Sequence, residues 1–198
     1  SRANLSGVQI VGATSSSANF ASAELTGVEA QGASFVRANL TRADLSGAEL
    51  HGVNFNGATL ADADFSDSEL FGATLANVRA AGADFSDAEI TASNLSNGDF
   101  SGADFSDASL DGARLTGGRF HRAEFSDASL RRTDIRGADL SSARGLTQDQ
   151  VDEACADGST RLPGRLSANA CRGGGRGIRT PPAPPVPPTM RNIIVASE

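Results

Sequence analysis

The residues of this chain with nucleophilic or metal-ligating chemistry are two histidines, two cysteines and many serines. A catalytic triad needs a serine, a histidine to take its proton and an acid to orient that histidine. No G-x-S-x-G elbow occurs, and no serine has a histidine in a triad-like setting. His51 and His121 each follow a large apolar residue, Leu50 and Phe120, and no cysteine or second histidine completes a metal shell around either. Both read as solvated surface side chains. The run Arg172-Gly173-Gly174-Gly175-Arg176-Gly177 has the glycines of a phosphate cradle but not the Lys-Ser/Thr that completes one, and it reads as a linker. The expectation is a protein with no catalytic residues, cofactor or metal.

Charge is the remaining chemistry. Twenty-four Asp and Glu oppose 17 basic residues, a net charge of −7. Phosphate contacts require a basic footprint, so direct nucleic-acid binding is not expected, and the excess suits a protein with a basic surface. No apolar run approaches the roughly 20 residues of a membrane helix. The chain has no Trp, Tyr or Lys, so large side chains for an ordinary core are scarce. Ser1 stands inside the repeat pattern, which puts any start methionine or signal peptide upstream.

The elements that must position these charges follow from a five-residue period. From Leu5 to Leu140, 28 positions are divisible by five, and all but Ser15, Ala30 and Ala80 are Leu, Ile or Phe. Two residues before each stands a small residue, from Ala3 to Ala138, and Ala143 ends the series. A helix would scatter residues five apart around its axis and a strand would alternate them across its faces, so neither explains the pattern. A chain that turns a corner every five residues does. A longer period sits on top: Asp64-Phe65-Ser66-Asp67 returns at Asp84, Asp104 and, with glutamate leading, Glu124. Volume is balanced along the way, Val28 preceding Ala30 and Val78 preceding Ala80, while Gly98 precedes Phe100 and Gly118 precedes Phe120.

The motif A(D/N)LxG, as in Ala43-Asp44-Leu45-Ser46-Gly47, resembles the pentapeptide-repeat family. That resemblance implies an all-β, right-handed quadrilateral β-helix with four pentapeptides per coil. Residues 1–144 would then form about seven coils, a rod of roughly 34 Å at the spacing of stacked strands. On one side of the square the residues before and after the central position are Asp64, Asp67, Asp84, Asp87, Asp104, Asp107, Glu124 and Asp127, and the next side carries Glu29, Glu49, Glu69 and Glu89. Arg79, Arg114, Arg119, Arg122 and Arg136 collect on the other two sides. Two carboxylates per coil give one charge per ~2.4 Å, comparable with the ~1.7 Å of duplex DNA. The expected function is a structural or interaction solenoid presenting an acidic face to a basic partner. The alternative is a DNA mimic acting on a type II topoisomerase, since the pattern resembles the family's quinolone-resistance proteins, which occupy the DNA saddle of those enzymes.

After Ala143 the period stops. Gly145 to Gly158 reads as a short helix, with Thr147 and Gln150 forming a capping box and Gly158 as the stop. Residues 145–166 are expected to cap the last coil, and 167–198 to be a Gly/Arg/Pro-rich extended tail. The apolar Ile193-Ile194-Val195 could add a strand to another copy, giving a homodimer through the C-terminal segment. Cys155 and Cys171 allow two readings: a disulfide, and with it an exported or periplasmic location, or free thiols in a cytoplasmic protein.

Overall fold

The computed structural model describes residues 3–168. Each repeat closes one turn: the Leu45 carbonyl accepts from the Ala48 N–H at 3.1 Å, and that of Phe85 from Ala88 at 3.2 Å. The third residue of the turn has positive φ, +61° at Gly47 and +57° at Asp87. Glycine enters that conformation without penalty, and Asn and Asp tolerate it better than most residues. Four turns bring the chain back over itself. Parallel bridges at a constant offset of 20 residues run from Asn4↔Glu24 to Glu124↔Arg144, and three further rows of bridges run beside that one. The rows define four faces. Asp44, Asp64, Asp84 and Asp104 lie on the first, Glu49, Glu69 and Glu89 on the second, Asn54, Thr74 and Asn94 on the third, and Thr59, Arg79 and Asp99 on the fourth.

An account of backbone donors explains the motif. In the repeat around Phe85, the Phe85 N–H donates to the Asp104 carbonyl at 2.7 Å and the Asp87 N–H to Ser106 at 3.0 Å; the Asp84 N–H donates the other way, to Ala63, at 2.9 Å. Ala88 closes the turn, which leaves one N–H of the five, that of Ser86. It is accepted by the Asp84 carboxylate at 2.9 Å. The same bond forms at Asp44–Ser46, Asp64–Ser66, Asn94–Ser96 and Asp104–Ser106. The D/N position is therefore a local acceptor for the donor that the ladder leaves over.

The central residues fill the interior, with Leu25 to Leu140 at most 1% exposed. Phenylalanines stack face to face along the first face, Phe65 on Phe85 at 4.9 Å, Phe85 on Phe105 at 5.1 Å and Phe105 on Phe125 at 5.2 Å. Each buried ring contributes about 1.5–3 kcal/mol. The volume balance read from the sequence is a packing necessity, since a Cβ added at Gly118 would lie 2.7 Å from the Phe120 ring. Where a hydroxyl replaces the small apolar residue it finds a carbonyl: Ser68 donates to Phe65 and Thr133 to Leu110.

Helix α1, Gln148–Glu153, has the expected capping box: the Thr147 hydroxyl accepts from the Gln150 N–H, and the Gln150 side chain accepts from the Thr147 N–H at 2.7 Å. Its end differs from the expectation. The helix stops at Glu153, five residues before Gly158, and the chain returns to the ladder through Asp134↔Cys155 and Asp139↔Arg161. The physical reason is competition for donors: the Cys155 N–H bonds to Thr133 and the Cys155 carbonyl accepts from Ile135, both cross-coil bonds that helical continuation would forgo. Helix α1 takes the place of one strand over the second face. The Gln150 amide donates to the Phe125 and Ala128 carbonyls at one corner, and the Glu153 carbonyl accepts from Arg132 at the next. Val151 is fully buried and Leu146 and Leu162 pack on the core.

Candidate acidic face

The backbone divides the carboxylates into two kinds. Asp64, Asp84 and Asp104 are half-buried, and each accepts from the N–H and hydroxyl of the serine two residues on, at 2.9 and 2.6–2.7 Å. Glu124 accepts from the Ser126 hydroxyl at 2.6 Å. At Asp44 burial acts to raise the pKa, but the Ser46 hydroxyl and N–H together with the Thr26 hydroxyl outweigh it and hold the group below its ordinary value. Asp67, Asp87, Asp107 and Asp127 are exposed, at φ between +57° and +58°, in the turn slot that Gly27 and Gly47 fill earlier on the same corner. No partner of their carboxylates is found among the described residues. The eight residues singled out in the sequence thus lie along one face and its corner, one row engaged with its own turns and the other turned to solvent.

The second face carries exposed Glu49, Glu69 and Glu89. Their contacts run between coils: the Gln31 amide donates to Glu49 at 2.5 Å, and His51 Nε2 lies 2.7 Å from Glu69. His51 is thereby placed as a partly exposed hydrogen-bond partner of Glu69, and His121 stands 3.7 Å from Asp139. Residues 44–111 contain thirteen acids and a single arginine, Arg79. Toward the C-terminal end charges pair off, with Arg119 bound to Asp99 at 3.0 Å and Arg161 to Asp139 at 3.2 Å. Asp134 is nearly buried and meets Arg136 at 2.7 Å; burial would raise its pKa, and the Arg136 guanidinium and N–H lower it.

Among the described residues no group of three or more His, Cys, Asp and Glu could hold a metal ion, and no helix is long and apolar enough to cross a membrane. Cys155 is disulfide-bonded. Cys171, the Gly/Arg/Pro-rich segment and Ile193-Ile194-Val195 lie outside the described residues. The sequence reading missed one surface feature, Phe71, which is 50% exposed in the corner turn that ends the second face. An aromatic in a slot that is polar in neighbouring coils was the available signal.

Such an arrangement defines a β-helical repeat solenoid with charged outer faces. The pentapeptide repeats family model matches residues 1–35, 33–70, 68–107 and 103–141, in 8 copies, and the chain belongs to the pentapeptide repeat family. Members are generally structural or interaction proteins without catalysis. Among solved structures, it is similar to HetL from the cyanobacterium Nostoc, a pentapeptide repeat protein involved in heterocyst differentiation regulation, at 21% identity over 85% of this chain and 92% of that one, TM-score 0.45. A pentapeptide repeat protein of the Arabidopsis thaliana thylakoid lumen is 38% identical over 51% of this chain and 67% of its own, TM-score 0.44. QnrB1, a plasmid-mediated fluoroquinolone resistance protein, is 20% identical over 80% and 86%, TM-score 0.37. No curated protein matches the sequence.

Proposed function

We propose that the chain is a non-catalytic interaction solenoid whose acidic middle receives a basic protein surface. In this reading residues 3–143 form seven coils, residues 145–166 close the C-terminal end through helix α1, and a Cys155–Cys171 bridge ties the remaining segment to that end. The observation that carries it is the thirteen acids against one arginine within residues 44–111, with the outer row of carboxylates unpaired among the described residues. Salt-sensitive, charge-steered association is what such a surface supports. A fluorescent oligo-arginine peptide titrated at low and high salt tests it. Binding should weaken with salt and drop in the triple variant Asp67→Asn/Asp87→Asn/Asp107→Asn, whose melting curve should match the parent. Equal binding by parent and variant would refute the assignment.

The stacking of Asp67, Asp87, Asp107 and Asp127 at the ~4.8 Å coil spacing supports the second reading, mimicry of DNA toward a type II topoisomerase. It predicts inhibition or protection in a supercoiling assay, lost in the same triple variant. No effect over a wide concentration range would leave the general basic-partner reading alone.

A further inference from the structure

Phe71 stands half-exposed in the corner turn that ends the second face. The same outward slot holds Val11, Gln31, His51 and Phe71 in successive coils; Val11 is 62% exposed, and the Phe71 ring has one aromatic neighbour, His51, at 6.4 Å between centroids. Two residues back in each coil stands the row Glu29, Glu49, Glu69 and Glu89, and the two rows touch between coils, the Gln31 amide at Glu49 and His51 at Glu69. The surface is thus a glutamate row along the rod with the exposed Phe71 ring beside it, among the polar Gln31, His51 and Thr91 of the same slot. A half-exposed Phe among polar neighbours calls for an occupant, and this one must bring both apolar and cationic groups.

The geometry points to the chain's own residues 172–195 as that occupant. Three observations select it. Composition comes first: from residue 169 on the chain has four arginines, Arg172, Arg176, Arg179 and Arg191, against the single acid Glu198, with Ile178, Ile193, Ile194 and Val195 among them. Guanidinium groups stack on aromatic rings while pairing with carboxylates, so Arg176 or Arg179 suits the Phe71–Glu89 neighbourhood. The second is the exit point. The Ser167 N–H donates to the Gln148 side chain at 3.1 Å and its carbonyl accepts from the same side chain at 3.0 Å, which delivers the chain to the start of α1, over the second face. The third is reach. Phe71 lies four coils below the bridge at Arg144, about 19 Å at ~4.8 Å per coil, whereas the eight residues from Cys171 to Arg179 extend to roughly 26 Å. A Cys155–Cys171 bridge leaves that span intact. The segment would shield the acidic surface from other partners, so that an external basic ligand competes with it. This rests on the acidic-face reading only for the identity of the surface.

Phe71→p-benzoylphenylalanine in the full chain tests the placement by photo-crosslinking and mass spectrometry. Expected are crosslinks within one chain to residues 172–195, unchanged on dilution, suppressed at about 1 M salt, and reduced several-fold by Arg176→Ser/Arg179→Ser. The same probe at exposed Ala81, on the fourth face opposite, should not capture the segment. Crosslinks only between two chains, with yield falling on dilution, would overturn the proposal in favour of a second copy as occupant. Equal capture at positions 71 and 81, or none at 71, would overturn it outright. The oligo-arginine titration is read separately: it should tighten in Arg176→Ser/Arg179→Ser if the segment competes, and it retains its own outcome if no crosslink forms.

Discussion

The two rows of carboxylates on the first face should respond oppositely to mutation, although they look alike in the sequence. Asp84 accepts the Ser86 N–H at 2.9 Å and the Ser86 hydroxyl at 2.7 Å, and the N–H has no other acceptor. Asp84→Ala removes both bonds and leaves a half-buried backbone donor to find water. A hydrogen bond contributes about 0.5–1.5 kcal/mol net, more when the acceptor is charged, and the hydroxyl can rotate toward solvent. The loss should be ~1–2 kcal/mol, a fall in Tm of roughly 3–6 °C for a domain of this size. Asp84→Asn keeps an acceptor oxygen in place and should cost less than about 0.5 kcal/mol. At Asp87 the side chain has no partner among the described residues and the backbone stands at φ +57°. Asp87→Asn and Asp87→Gly both suit that conformation, so stability should stay within ~0.5 kcal/mol of the parent or rise as stacked like charges are removed. Thermal and urea melts of the four variants read the outcome. If Asp84→Ala is as harmless as Asp87→Asn, the donor account of the motif is wrong.

Two further expectations follow from packing and protonation. Gly118→Ala would bring a Cβ to 2.7 Å from the Phe120 ring and 3.1 Å from the Leu115 carbonyl, so it should destabilise by about 1–3 kcal/mol, with much of the loss recovered in Gly118→Ala/Phe120→Leu, as urea melts would show. Asp157 is held at a pKa of about 2, against an ordinary 3.8, first by the Ser159 hydroxyl and then by the Ser159 N–H, with smaller help from the Gly137 N–H and the Thr160 hydroxyl. A depressed carboxyl stabilises the fold above its unfolded value, and that contribution is lost as pH falls from about 4 through about 2. A carboxyl titration by NMR should place its midpoint near 2, and Asp157→Asn should flatten the stability profile in that window.

Much of the fold was legible because one residue in five must face inward and nothing interrupts the phase between Leu5 and Leu140. Gly98 and Gly118 were readable as volume partners of Phe100 and Phe120 for the same reason: a narrow interior of fixed width makes neighbouring side chains trade space. The end of helix α1 was not legible. Gly158 is the local stop signal, but the ladder bonds at Cys155 involve Thr133 and Ile135, some 20 residues away, and local patterning carries no trace of them. Nor did the sequence separate Asp64 from Asp67. That distinction depends on which backbone donors the coils above and below leave unclaimed. Phe71 escaped for a related reason: its slot tolerates any outward side chain, so an aromatic there breaks no rule of the repeat.

The same donor account bears on whether the acidic surface belongs to the fold or to a function. An amide oxygen satisfies the leftover N–H as well as a carboxylate does: Asn39 accepts from Thr41 at 3.1 Å, Asn54 from Asn56 at 2.9 Å and Asn94 from Ser96 at 3.1 Å. The slot is therefore served by Asn as well as by Asp, and Thr59, Thr74 and Arg79 fill it elsewhere, so the repeat does not require a negative charge there. On the third and fourth faces that choice falls on Asn at Asn19, Asn39, Asn54 and Asn94, and where it falls on Asp, at Asp99, Asp134 and Asp139, an arginine pairs with it, whereas on the first face, after Asn4, it falls on Asp at Asp44, Asp64, Asp84 and Asp104 with no such pair among the described residues. The corner slot behaves alike, since Gly27 and Gly47 meet its backbone demand without charge and Asp67, Asp87, Asp107 and Asp127 meet it with charge. Stacking carboxylates one coil apart costs electrostatic free energy that Asn and Gly would avoid. Duplication of a 20-residue block could copy such a choice but does not compensate that cost in the folded rod. A positively charged partner would, which is why the charge of these rows, rather than their side-chain geometry, is the feature to test first.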